Sequence, residues 1–408
     1  MTTTTTRPTD RTGEPAVRRR LSRPVAFAAI AAIFVTFTAA SSAPSPLYVV
    51  YQQLWGFSAV TLTVVFAVYV VGLIGALLVL GALSDHIGRR PVLAAAIGLE
   101  IVALILFLAA GDVTVLLAAR FLQGIATGAA LTTLGAALVD LNPPHAPGRA
   151  GLVNSVVPPA GLAIGALGTG ALVQFAPGPT HFVYALLLAG MAAAALVVLL
   201  MPETSSRRPG GAASLVPRLG VPVRLRRAVF ALVPIIVASW ALGGLYLSLG
   251  PSVAVGVFGL SNHLIGGLVV TLLCGTGAVT AFALRAWPTP RVLTIAGALL
   301  TVGTMVTLVG VLTDSVVFGA VGTVLAGIGF GASALASFGT LALLAAPHER
   351  GELFAVALTI AYVAFSLPAV IAGLAATSAG LHPTTVVYAL VVVVLSAVAL
   401  AAQRVHRT

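Results

Sequence analysis

Gly81-Ala82-Leu83-Ser84-Asp85-His86-Ile87-Gly88-Arg89-Arg90-Pro91-Val92-Leu93 is a polar stretch set between two apolar runs. Each run is about 20 residues long, enough to cross the ~30 Å hydrocarbon core of a bilayer as a helix. The stretch therefore reads as a turn joining two membrane-spanning helices. Pro91 suits the first turn of the second helix, where a missing N–H costs nothing. Gly88 permits a backbone conformation that other residues resist. The charges have the wrong sign for their own helices. Asp85 lies at a negative C-terminal end, and Arg89 and Arg90 lie at a positive N-terminal end. Either the arginines only mark a cytoplasmic loop, or the three charges have partners elsewhere in the fold.

Working outward, the whole chain has the same character. Of 408 residues 59% are hydrophobic and 8% charged, against about 25% charged in soluble domains. Long apolar runs specify helices rather than a barrel. The formal charge of +11 would suit a nucleic-acid partner, but the arginines are spread over every second loop, so none is expected. Cys274 is the single cysteine and lies in an apolar run, which excludes an intramolecular disulfide. Every basic residue is arginine; with the alanine richness this suggests a GC-rich bacterial genome.

Residues 1–23 are rich in Thr, Pro and Arg and read as a disordered cytoplasmic tail. Arg18, Arg19, Arg20 and Arg23 before an apolar run mimic a secretory signal. An uncleaved first span is preferred, because cleavage would destroy the repeat described below. Twelve spans are expected near 24–50, 58–83, 91–110, 113–140, 150–174, 180–201, 228–256, 261–286, 291–311, 315–345, 352–377 and 383–402. The longest polar stretch, 203–227, contains Pro209-Gly210-Gly211 and reads as a cytoplasmic linker between bundles at 24–202 and 228–402. Residues 403–408 form a second tail. Placing both termini inside puts every arginine except Arg120 at the cytoplasmic side, as the positive-inside rule requires. The expected location is the cell inner (plasma) membrane, multi-pass.

The halves repeat. Trp55-Gly56-Phe57-Ser58 aligns with Phe258-Gly259-Leu260-Ser261 at an offset of 203 residues. Gly124 and Gly128 align with Gly327 and Gly331 at the same offset. Six spans per half leave the halves in the same orientation, so the repeat is parallel, about an axis along the membrane normal, with a cavity between the halves.

With these residues in view, the chain resembles the major facilitator superfamily. The loop at 81–93 is similar to that family's signature between its second and third helices, Gly-x-Leu-Ala-Asp-Arg-x-Gly-Arg-Lys. Ser84, His86 and Arg90 are the departures. The resemblance implies a conformational-switch loop of Gly81, Asp85, Gly88, Arg89 and Arg90. Its charges are expected to pair Arg89 with Asp140 and to set Asp85 against the start of span eleven, residues 350–353, closing the cytoplasmic side.

Span four carries Arg120, Gln123 and Thr127 on one helical face. An arginine two turns into a span costs roughly 3 kcal/mol on insertion scales, so it must face protein or water unless it snorkels to the interface. The segment resembles the superfamily's fourth-helix Arg-x-x-Gln-Gly motif, which implies a role with protons or substrate. Glu100, near mid-depth in span three, is either a proton-coupling carboxylate or a structural acid hydrogen-bonded to the bundle. It lies about 5 Å from Arg120 along the membrane normal. Ser41, Ser45, Tyr48 and Gln52 share a face of span one, beside Pro44 and Pro46, whose missing N–H groups free backbone carbonyls. That face reads as a cavity wall or as close packing through small residues. Trp240 and Tyr246 are the counterparts in span seven. Span five, with Gly161 and Gly165, resembles a worn form of the fifth-helix motif of drug–proton antiporters; Ala166 stands where that motif has proline. Helix packing through small residues explains it equally.

No phosphate-binding loop, metal cluster or nucleophile–base–acid set is visible, so no cofactor and no enzyme activity are expected. The expected protein is an all-α membrane protein of two six-helix bundles, a monomer in the bilayer that handles a small-molecule substrate and protons. Proton-coupled efflux of a drug-like molecule by alternating access is the first functional expectation. Proton-coupled uptake of a sugar or organic acid, and a transport-inactive receptor or scaffold, are the alternatives.

Overall fold

The computed structural model describes residues 21–146, 148–205, 207, 209–216, 219–346 and 349–405. Most of the tail expected at 1–23, and parts of the linker, fall outside these. The described residues include twelve helices long and apolar enough to cross a membrane: Arg23–Trp55, Ala59–Leu80, Arg89–Leu108, Val113–Asp140, Arg149–Phe175, Pro179–Leu200, Val223–Ser248, His263–Ala283, Thr289–Leu312, Val316–Leu344, Gly351–Ala379 and Leu381–Ala402. They are spans one to twelve below. Hydrocarbon offers the backbone no hydrogen-bond partner, so each crossing segment must satisfy its own N–H and C=O groups, and a helix does so.

Span one runs five residues past its expected end. Its axis pauses at Ala43, which keeps helical φ −54° and ψ −39°, and Pro44 opens the segment Pro44–Trp55 from its first turn. Span seven is built alike: Arg226–Ser248 is followed by a short helix, Gly250–Gly256, with proline at its start.

The shared offset of the glycines is a shared interface. A Cβ on Gly124 or Gly128 would collide with the carbonyl oxygens of Tyr69 or Leu73 in span two. A Cβ on Gly327 or Gly331 would meet those of Leu273 or Gly277 in span eight. Span four thus lies against span two as span ten lies against span eight, backbone to backbone.

Twelve crossings bring both ends and the linker to one face, called here the terminal face; the opposite face is distal. The bundles meet through spans five and eight and through spans two and eleven. Among the described residues, three hydrogen bonds cross directly between them. Ser45 Oγ donates to Leu247 O (2.6 Å), Thr271 Oγ1 to Ala163 O (3.0 Å) and the His263 N–H to Gln174 Oε1 (3.1 Å). All lie at mid-span or beyond, towards the distal face. Phe66 and Phe365 pack 5.0 Å apart at the same seam. At the terminal face, contacts of the linker dominate: His86 Nδ1 lies 3.1 Å from Pro209 O, and Arg224 pairs with Glu349.

Candidate functional site

The proline positions in span one decide what its neighbours bind. A helical carbonyl normally accepts from the N–H four residues on, and four residues beyond Ala40 stands Pro44, which has none. Gln123 Nε2 supplies the missing donor to Ala40 O at 3.1 Å. Arg120 Nη1 donates to the adjacent Ser41 O (3.2 Å) and to Gln123 Oε1 (2.6 Å). The same Gln123 Nε2 donates to Glu100 Oε1 at 2.9 Å. The Gln123 amide therefore stands between a guanidinium and a carboxyl group, and Arg120 and Glu100 communicate through it.

Arg120 is 2% exposed and Glu100 and Gln123 are fully buried, so the guanidinium does not snorkel to the interface. Aromatic faces replace part of its lost hydration: the Tyr69 ring centroid lies 4.5 Å from Arg120 Cζ and that of Tyr48 5.7 Å. Such contacts strengthen when desolvated. One turn further, the Thr127 and Ser41 hydroxyls are 3.4 Å apart. Arg120 Nε, Glu100 Oε2 and Tyr48 OH have no hydrogen-bond partner among the described residues. The cluster thus has spare donor and acceptor capacity. Tyr69 was not among the sequence candidates; its mark is a lone tyrosine in an aliphatic run.

The 81–93 loop is held from three sides. Leu83–Ile87 forms a short helix, and Gly88 follows at φ 113°. A Cβ there would be strained and would strike the Glu203 carboxylate. Glu203 Oε1 accepts from the Arg89 N–H (2.8 Å) and Oε2 from the Arg90 N–H (3.2 Å), so a linker acid caps the positive N-terminus of span three. Arg90 does the converse for span six, donating to Val198 O and Leu199 O at its negative end (3.0 and 2.6 Å). Arg89 bonds Asp140 (3.1 Å), Asp85 (2.5 Å) and Ser84 Oγ (2.6 Å). Arg89 and Asp140 meet as expected. Asp85 pairs with Arg89: the helical turn at 83–87 sets the two four residues apart, within reach on one face. The Arg350 side chain lies outside the described residues. Glu203 was read only as the first linker residue, yet an acid just past a helix C-terminus has the same wrong sign that flagged Asp85.

Of the remaining candidates, Ser41 and Tyr48 join the Arg120 cluster and the others disperse. Ser41, Ser45 and Tyr48 are buried rather than on an open wall, and Ser45 belongs to the distal seam. Its acceptor, Leu247 O, is also a carbonyl freed by proline, here Pro251. Gln52 Nε2 donates to Phe57 O at 3.5 Å. Trp240 stands in an aromatic cluster with Tyr362 (4.9 Å), Phe365 (5.8 Å) and Phe338 (6.5 Å). Tyr246 points away from the seam and bonds the Thr323 hydroxyl at 2.8 Å. Gly161 and Gly165 lie against Thr38 and Ala39, packing span five onto span one.

Comparison with known proteins fits this geometry. The family model described as Major Facilitator Superfamily matches residues 25–369. No curated protein matches the chain. Among solved structures, a bacterial homologue of the human lysosomal transporter Spinster, in an inward-facing and occupied conformation, superposes with a TM-score of 0.73 at 15% identity, over 94% of this chain and 97% of that one. The human organic anion transporter MFSD10 (TETRAN) gives 0.65 at 19% identity over 94% and 99%. The nucleoside transporter NupG gives 0.71 at 11% over 93% and 100%. At these identities the structural matches establish the fold.

Proposed function

Because the chain belongs to the major facilitator superfamily, whose members are transmembrane transporters, we propose that it is a proton-coupled exporter of small, largely apolar organic molecules working by alternating access. The observation that carries this reading is the buried Arg120–Gln123–Glu100 chain. A guanidinium keeps its proton in proteins, so Glu100 is the member that exchanges one, and Gln123 relays the change to Arg120 and to the carbonyls of span one. Span one also carries Ser45, whose hydroxyl ties the bundles at the distal seam. Protonation at Glu100 thus has a short mechanical route to the element that must open. The aromatic cluster of Trp240, Phe338, Tyr362 and Phe365 supports a cargo that is uncharged and ring-bearing. The bonds at the distal seam support a state closed distally, and the arginine distribution supports a cytoplasmic terminal face, hence an inward-open monomer in the plasma membrane.

The test is a proteoliposome assay with an imposed pH gradient and a panel of aromatic cargoes. Cargo-dependent proton flux, with cargo moving against the proton, is expected. Co-directional movement would assign uptake instead, and no flux for any cargo would favour a receptor or scaffold.

A further inference from the structure

The C-terminal bundle holds a chamber apart from the Arg120 cluster and from the seam between the bundles. It is a cavity of about 220 Å³ between the distal ends of spans seven to ten and span twelve. Aliphatic and aromatic side chains make most of the wall, among them Leu245, Val269 and Phe258, and no charged residue lines it. Its polar atoms are nearly all engaged. Thr323 Oγ1 donates to Gly319 O and receives the Tyr246 hydroxyl. Thr307 donates to Gly303 O and Thr385 to Leu381 O, each bonding back one helical turn. Thr304 is the exception: it lines the cavity, is 1% exposed, and its Oγ1 has no partner among the described residues.

We propose that this chamber binds a compact, uncharged, mainly hydrocarbon molecule carrying one oxygen acceptor, which takes its hydrogen bond from Thr304. A dry apolar cavity of about 150 Å³ accepts benzene. Scaled by volume, this one holds roughly nine non-hydrogen atoms, the size of a monocyclic aromatic ketone. Charged ligands are excluded because nothing on the wall would offset their desolvation. A buried hydroxyl without a partner supplies the selectivity, since an oxygen in the ligand relieves a cost that a hydrocarbon leaves standing. Leu245 and Tyr246 face the chamber while the next residue, Leu247, belongs to the seam. The occupant therefore lies directly behind the distal seal.

Isothermal titration of the full-length chain in lipid nanodiscs, with empty nanodiscs subtracted, tests the assignment. The probes are acetophenone and α-methylstyrene, which share a shape and differ in a carbonyl oxygen against a methylene. Acetophenone is expected to bind saturably and roughly fivefold more tightly than the hydrocarbon, the worth of one net hydrogen bond. Thr304→Val should remove that preference while retaining binding of both. Ala320→Phe, which fills the chamber from span ten, should abolish both. If Ala320→Phe fails to fold, the two probes on wild type and Thr304→Val decide alone. Absence of saturable binding to wild type, equal affinities for the two probes, or a preference that survives Thr304→Val would each overturn the proposal.

Discussion

Replacing Gln123 by leucine removes the amide at the centre of the buried cluster while nearly conserving volume. Three hydrogen bonds go: those from Arg120 Nη1, to Ala40 O and to Glu100 Oε1. Hydrogen bonds inside membrane proteins average about 0.6 kcal/mol, with a maximum of about 1.7, so the loss is about 2 kcal/mol and at most about 5. The composition of the loss is the sharper point. Glu100 Oε2 has no partner among the described residues, so Gln123→Leu leaves the whole carboxyl group unbonded in a buried site, at about 1–3 kcal/mol. Removing that carboxyl as well, with Glu100→Met, should restore part of the stability. The double variant should therefore unfold at a higher temperature than Gln123→Leu alone. Cys274 is the single thiol and fully buried, so a thiol-reactive fluorophore reports unfolding without labelling the folded protein. Gradient-driven transport should stay lost in the double variant, because stability and coupling are separate consequences of the same amide. Additive destabilisation by the two changes would show that Gln123 and Glu100 act independently and would refute the bridge.

Arg120→Ala should abolish gradient-driven flux with normal expression, whereas Glu100→Gln should lose gradient-driven accumulation and keep cargo exchange; full gradient-driven flux in Arg120→Ala would reduce the cluster to a structural one. Glu203→Ala uncaps span three and should cost about 1–2 kcal/mol, seen as a melting temperature lower by a few degrees; an unchanged melting curve would refute the capping role. Asp85→Asn should slow transport while leaving membrane insertion intact, since Arg89 keeps Asp140 but loses a charged partner in its own loop; wild-type rates would count against a switch. Single cysteines placed in the linker at 203–227, on a background lacking Cys274, should resist an impermeant thiol reagent in intact cells, and ready labelling would reverse the orientation.

The spans, the loop and the repeat were legible in the sequence because bilayer physics is local. Hydrocarbon requires about 20 apolar residues per crossing, and a wrong-signed charge beside a helix end is visible without coordinates. The prolines were equally informative: the freed carbonyl of Ala40 follows from Pro44 alone. What accepts or donates there does not. Span one could expose that face to a cavity or bury it, and only the packing of span four against it, with spans two and three against span four, places Tyr69, Glu100, Arg120 and Gln123 in one cluster. The same limit holds at the 81–93 loop. It explains Glu203, whose role as a cap exists only where the linker folds back on span three. Hydrophobic length and charge asymmetry act along the chain and are written in it; the pairing of buried polar atoms depends on which helix faces meet, and residues as far apart in the chain as Ala40 and Gln123 settle that only in three dimensions.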